Sequence, residues 1–265
     1  MIIEKDNFLI SQENNYLKMA MFSTVGGRSD QQDSAGYELN DEGGIFVVCD
    51  GMGGHEGGKN ASELAVRRII ENYDTNASKT DNNERLLESA ILADKEISEL
   101  KDEFGQLVRG GSTAAVALLC GLDLFWLSVG DSRIYIYRDG ELVRITTDHT
   151  YEVALRENMK AGLITQDFFD QQIDRGDALI SFVGVGGMPL VDRSINPLKL
   201  QTGDVVLIMT DGLYKNIPDN ILKRYIENFR NPSDSLAALE QKVEKMTADN
   251  EIARDNMTVA LIRIK

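Results

Sequence analysis

The sequence predicts an α+β fold in which helix layers lie outside a β-sandwich. Three observations predict it. Strand signals come in runs joined by short turns, among them the Asp139-Gly140 pair between apolar segments 133–137 and 142–145, a hairpin signal. Helical spacing comes in two pairs, 59–73 with 84–100 and 213–229 with 235–246. No regular strand-helix alternation marks a parallel, dinucleotide-type sheet.

Taken in order, Phe8-Leu9-Ile10 and the run from Leu17 to Phe22 are candidate strands, the second alternating imperfectly. Gly26-Gly27-Arg28 opens a polar turn through Ser34. Ile45-Phe46-Val47-Val48-Cys49 is an apolar run that stops on Asp50 and a Gly-rich turn, which reads as a buried strand with an acid at its tip. The two helices that follow place Ala61, Leu64, Ala65, Ile69 and Ile70, then Leu87, Ala90, Ile91, Ala93 and Ile97, on single faces. Gly110-Gly111-Ser112-Thr113 ends that section and a strand series begins at Ala114. Residues 151–190 are polar and read as helix pieces passing over the rim of the sheets, either a mobile substrate-gating flap or an ordinary insertion, with a flap boundary near 150 and 190. Gly184-Val185-Gly186-Gly187 is no dinucleotide fingerprint, because no strand-helix unit surrounds it. Segments 198–200 and 204–209 read as a hairpin around Thr202-Gly203, and 258–264 is the last strand. There is no repeat, low-complexity segment or linker, so 1–265 reads as one domain.

Four acids punctuate these strands. Asp50, Asp131 and Asp211 follow apolar runs, and Asp255 precedes one. In an antiparallel sheet the end of one strand lies beside the start of its neighbour, so all four can share a rim. Any single Asp-Gly is a common turn pair. Four crowded carboxylates are different: unpaired they repel, and an oxygen-only donor set suits Mg²⁺ or Mn²⁺ rather than zinc. Arg28, one of few bases near these acids, suits a phosphate held bidentately, and a solvated turn arginine is the plainer alternative.

Composition narrows the classes. Hydrophobic residues make up 42%, enough for a sizeable core. Net charge is -15, with 43 acids against 28 bases, which excludes a basic surface for nucleic acid or anionic membrane. The first residues lack the apolar core of a signal peptide, and no stretch approaches the ~20 residues of a membrane span. Cys49 and Cys120 both fall in strands and read as buried free thiols, which fits a reducing cytoplasm.

Seven stretches in series are similar to the Mg- or Mn-dependent Ser/Thr protein phosphatases of type 2C: Gly27-Arg28 through Gln32-Asp33-Ser34, Cys49-Asp50-Gly51-Met52-Gly53-Gly54-His55, Gly111-Ser112-Thr113-Ala114, Val129-Gly130-Asp131-Ser132-Arg133, Thr147-Asp148-His149-Thr150, Met209-Thr210-Asp211-Gly212-Leu213 and Asp255-Asn256-Met257-Thr258-Val259. The resemblance spans residues 17–264. It implies a four-layer αββα sandwich, two antiparallel sheets face to face with a helix pair on each outer face. It implies hydrolysis of phosphoserine and phosphothreonine on proteins by a water or hydroxide bridging two Mg²⁺ or Mn²⁺ ions. Carried over by residue, Asp50 bridges two metals, the Gly51 carbonyl contacts one, and Asp211 and Asp255 complete the pair. Asp131 would hold a third ion, Asp33 would support the metal shell through water, and Arg28 would hold the substrate phosphate.

Phosphorylated proteins and a cognate bacterial Ser/Thr kinase are the partners this implies, for an enzyme expected to be a cytoplasmic monomer. Gln31-Gln32 stands where Asn-Glu is common, so one outer carboxylate is missing. Met52 takes the place of a His in animal members, and the Gly-Met-Gly-Gly-His form is the bacterial one. His55 is either an acid or a capping residue, and His149 reads as structural. Two alternatives stand beside this reading: a catalytically weak or inactive homologue that binds phosphoproteins, and a small-molecule phosphoesterase.

Overall fold

Period-two alternation decides the architecture. In β2 (Leu17–Thr24), Met19 and Met21 point to one side while Ala20 and Phe22 point to the other. In β4 (Gly43–Gly53), Phe46 and Val48 share the first side and Ile45, Val47 and Cys49 the second. A strand apolar on both faces must be covered on both. The result, seen in this computed structural model, is four layers: helices, sheet, sheet, helices. The structure describes residues 3, 5–75, 81–101, 104–249 and 255–265.

One sheet has the order β1-β2-β13-β12-β8-β9, from β1 (Phe8–Glu13), β13 (Met257–Ile264), β12 (Val205–Met209), β8 (Arg133–Arg138) and β9 (Glu141–Arg144). The other has the order β10-β7-β6-β4-β3, from β10 (Asp192–Arg193), β7 (Asp123–Val129), β6 (Ala114–Cys120) and β3 (Asp33–Asn40). Two short strands join it at the side: β5 (Gly110–Ser112) pairs with β4, and β11 (Leu198–Lys199) with β7. Every strand pairing among the described residues is antiparallel. The inter-sheet core holds Phe46, Val48, Ala117, Ile134, Val206, Ile208 and Ile262.

On the second sheet pack α1 (His55–Thr75) and α2 (Asn82–Ser98), burying Ala61, Ala65, Ile69, Ala90 and Ile97. The Asp81 carboxylate starts α2 by accepting from the Asn83 amide. On the first sheet pack α6 (Asp219–Asn228) and α7 (Pro232–Ala248) through Leu222, Ile226, Leu236, Leu239 and Val243. Asn231 caps α7 and Pro232 takes its first turn, where a missing N–H costs nothing. The Asp139-Gly140 hairpin forms as expected, both residues at positive φ (51° and 81°), as a two-residue primed turn demands.

Four expectations are corrected. Residues 33–40 form β3, paired along its whole length with β4, where the sequence reading has a polar turn through Ser34 and nothing assigned beyond it; Gly36 and weak alternation hide it. The 198–209 segment is no hairpin: β11 pairs with β7 in one sheet, and β12 with β8 and β13 in the other. The expected helix 213–229 is two, α5 (Asp211–Tyr214) and α6, because Pro218 disfavours helix in the residue before it. The Gly-rich segment after Asp50 is no turn: β4 runs on through Gly53, with Gly51 opposite Ser112 of β5.

Residues 151–178 leave the sheets as α3 (Tyr151–Lys160), α4 (Gln166–Gln172) and a 3-10 turn at Ile173–Arg175. The excursion is tied at its base by Tyr151 and Ala178 and by His149 and Ile180, each through a backbone hydrogen bond of 2.9 Å.

Candidate active site

The acids sit where two sheets present the same edge, a correction to the single rim expected from the sequence. β4 and the end of β7 carry Asp50 and Asp131; the end of β12 and the start of β13 carry Asp211 and Asp255. Between them opens a cavity of about 470 Å³ lined by Arg28, Gln32, Asp50, Gly51, Asp211 and Asp255. Asp33 lies directly opposite Asp50 in the β3–β4 ladder.

The backbone at this edge is tightly crossed. A Cβ on Gly51 would stand 2.1 Å from the Gly58 carbonyl oxygen, and one on Gly212 1.9 Å from the Asn256 carbonyl oxygen. Only glycine lets the chains pass this close. Asn256 ties the approaches together: its amide group donates to the Val25 and Asp30 carbonyls (3.0 Å each), and its side-chain oxygen accepts from the Gln32 amide (2.9 Å). This brings the Arg28 turn to Asp255. The Asp50 amide donates to the Thr113 hydroxyl at 2.8 Å, which fixes the acid's backbone.

Charge is crowded here. Burial, then the neighbouring carboxylates Asp33, Asp211 and Asp131, push the Asp50 carboxyl well above the usual range, and Asp50 shares a hydrogen bond with Asp211. Burial raises Asp33 to about 7 against hydrogen bonds from Thr258 and Thr210, the latter at 2.9 Å, with Asp211 and Asp255 raising it further. Burial and Asp211 raise Asp131 to about 6.

Two cations answer these acids. Arg28 Nη2 donates to Asp255 at 2.9 Å, and Lys215 Nζ donates to Asp211 at 2.8 Å, with Asp177 of the excursion 3.9 Å away. Among the described residues, no three acid, His or Cys side chains close around one point in metal-binding form. The donor set nevertheless fits a hard divalent cation: every donor is an oxygen, and buried carboxylates with raised affinity for protons are ones a cation would relieve.

Asp131 lies beside the cavity rather than in its lining. The Tyr214 hydroxyl donates to its carbonyl (3.0 Å) and approaches its carboxylate (3.3 Å). The Arg133 guanidinium stacks on the Tyr214 ring, 3.5 Å from its centre, and grips Asp148 through two hydrogen bonds of 3.1 and 2.7 Å. Tyr214, Lys215 and Asn256 went unassigned in the sequence; the i,i+4 spacing of Asp211 and Lys215 was the one available signal for Lys215.

His149 accepts from the Gly130 amide at 3.2 Å, and burial lowers its affinity for protons, so it is a neutral structural group, as expected. The side chain of His55 lies outside the described residues. Cys49 and Cys120 are free thiols, Cys49 buried and Cys120 half-buried.

Comparison with known proteins bears on the fold and the family. A model of the family Protein phosphatase 2C matches residues 27–261. The serine/threonine phosphatase Stp of Listeria monocytogenes is 30% identical over 249 residues, covering 92% of this chain and 94% of its own. The serine/threonine phosphatase PstP/Ppp of Mycobacterium tuberculosis shares the fold with a TM-score of 0.75 at 23% identity, covering 94% of this chain and 99% of its own. So does a PstP catalytic domain solved with two manganese ions, with a TM-score of 0.71 at 24% identity, covering 94% and 98%. By the extent of that family match and of the Listeria relative, this chain belongs to the protein phosphatase 2C family.

Proposed function

We propose that this chain is a divalent-metal-dependent protein phosphatase that hydrolyses phosphoserine and phosphothreonine, acting as one unit over its length and opposing a Ser/Thr kinase. The observation that carries the reading is the convergence of Asp50, Gly51, Asp211, Asp255 and Arg28 on one cavity. Asp50, the Gly51 carbonyl, Asp211 and Asp255 would hold the ions, with Asp131 available for a further one and Asp33 behind Asp50. Mn²⁺ or Mg²⁺ held there would acidify a water and neutralise phosphoryl oxygens.

The remaining roles belong to the protein. Arg28 stands on the cavity rim, its side chain 57% exposed, and Asp255 keeps it charged through a hydrogen bond. It can present its forked N–H groups to two phosphate oxygens and so orient the phosphorus for in-line attack. Water is the nucleophile that the family likeness implies, and the Cys49 thiol offers no alternative, because burial pushes its affinity for protons far up and keeps it protonated at neutral pH. Asp33, held by Thr210, keeps a carboxyl directly behind Asp50 and adds negative charge for the cation to balance.

The test is release of inorganic phosphate from a phosphothreonine peptide with and without Mn²⁺. We expect activity that depends on Mn²⁺ and is lost in Asp211→Asn, with the variant's thermal unfolding retained. No release at millimolar Mn²⁺, or full activity in the variant, would remove the proposal.

A further inference from the structure

Beside the acidic cavity runs a second, apolar groove of about 710 Å³. Met52, Leu107, Val108, Phe182 and Val185 line it, with Arg109 on its rim. Leu107 is 61% exposed and Val185 43%, uncommon exposure for side chains that cluster together. Met52 and Gly53 line this groove and the acidic cavity alike, so the two share a wall.

The groove is built rather than incidental. The buried Asp94 carboxylate accepts from three backbone amides, Gly184 (2.7 Å), Gly186 (3.1 Å) and Gly187 (2.6 Å), and this clamp holds Val185 outward. It also explains the Gly-rich segment that is no nucleotide motif. Phe182 packs so closely on Gly111 that a Cβ there would meet its ring at 2.4 Å. Val183 and Ser112 exchange backbone hydrogen bonds of 2.8 and 2.9 Å, and β5 in turn pairs with β4 at Gly51. The groove wall is therefore hydrogen-bonded, through one short strand, to the strand that carries Asp50. Arg109 is exposed and forms no ion pair among the described residues, so on a chain of net charge -15 it offers a cation to an anionic ligand.

We infer that this groove is the substrate-specificity subsite: it takes an apolar side chain of the phosphoprotein segment near the phosphorylated residue, while Arg109 attracts the segment's acids. The inference rests on the phosphatase reading and deepens it. Adjacency to the cavity that would take the phosphate favours a phosphorylated segment over a second copy of this chain, whose net charge of -15 repels another like it.

Binding needs no turnover to be read. Labelled peptides carrying a non-hydrolysable phosphonate analogue of phosphothreonine, with Leu or Ala at each position from three before to three after it, are titrated with the Mn²⁺-supplied protein by anisotropy. At one position Leu is expected to bind about tenfold tighter than Ala, in the range of burying one such side chain. In Leu107→Asp and Val185→Asp, both exposed enough to leave the core intact, that Leu-to-Ala ratio should fall to near one. Equal binding of Leu and Ala peptides at every position, or a preference unchanged in both variants, overturns the inference. Phosphate release with no side-chain preference leaves the phosphatase reading and removes the groove. A preference without any phosphate release does the reverse.

Discussion

At the scale of residues, the site is a contest between cations for the same acids. Lys215 lies against Asp211 with its side chain 42% exposed, and the Asp211 hydrogen bond keeps it charged despite burial. Any divalent ion seeking Asp211 must displace or tolerate that ammonium. Replacing Lys215 by Met should tighten Mn²⁺ binding threefold to fivefold in a calorimetric titration, about 0.7–1 kcal/mol for a partly exposed pair. Unchanged or weaker binding would show that Lys215 does not oppose the ion. Asp33 was reached only through the family resemblance, whereas Asp50, Asp131, Asp211 and Asp255 were legible in the sequence because each borders an apolar run. Lys215 was not, since only the turn of α5 sets it against Asp211. Asn256 was also opaque: its three side-chain hydrogen bonds reach residues over two hundred positions away.

At the scale of elements, the decisive contact is α5 against the segment entering β13. Gly212 allows it, and a side chain there would collide with the Asn256 carbonyl at 1.9 Å, a backbone atom that cannot rotate away. Gly212→Ala should cost about 1–3 kcal/mol as overpacking does, lowering Tm by roughly 4–8 °C for a 2 kcal/mol loss in a chain of this size. Calorimetry measures it, and a Tm within 1 °C of wild type, roughly the shift of a negligible loss, would contradict the crossing. The loss in Mn²⁺ affinity should accompany it, because Asp211 and Asp255 move together. The helices on both outer faces were readable from 3.6-residue spacing, and Pro218 was the overlooked stop signal. Strand β3 was unreadable for the opposite reason. Its pairing with β4 supplies the stabilisation that its own composition lacks.

At the scale of the whole molecule, the sandwich buries several carboxylates at one end. Asp33 at about 7, Asp131 at about 6 and Asp50 well above its ordinary range all hold protons more tightly folded than unfolded. A raised folded value means stability present below the unfolded value near 4 and lost as pH rises through the folded one. In EDTA, the Tm contribution of these groups should therefore fall as pH rises from about 4 to about 7, and added Mn²⁺ should restore it at the upper end. Scanning calorimetry across pH with and without the ion checks this, and an Mn²⁺ effect equally large at pH 5 and pH 8 would refute it. The core that enforces this burial was largely written in the chain. Strands apolar on both faces, β2, β4, β12 and β13, require cover on both sides, which fits helix layers outside a β-sandwich. What the linear order left open was partnership across layers: which sheet takes β11, that Asp50 and Asp211 come from different sheets, and that an apolar groove borders their cavity. Periodicity is a property of neighbours in the chain, so it was visible there. The site and its groove arise where distant backbones cross at glycines, and such crossings exist only once both sheets have packed.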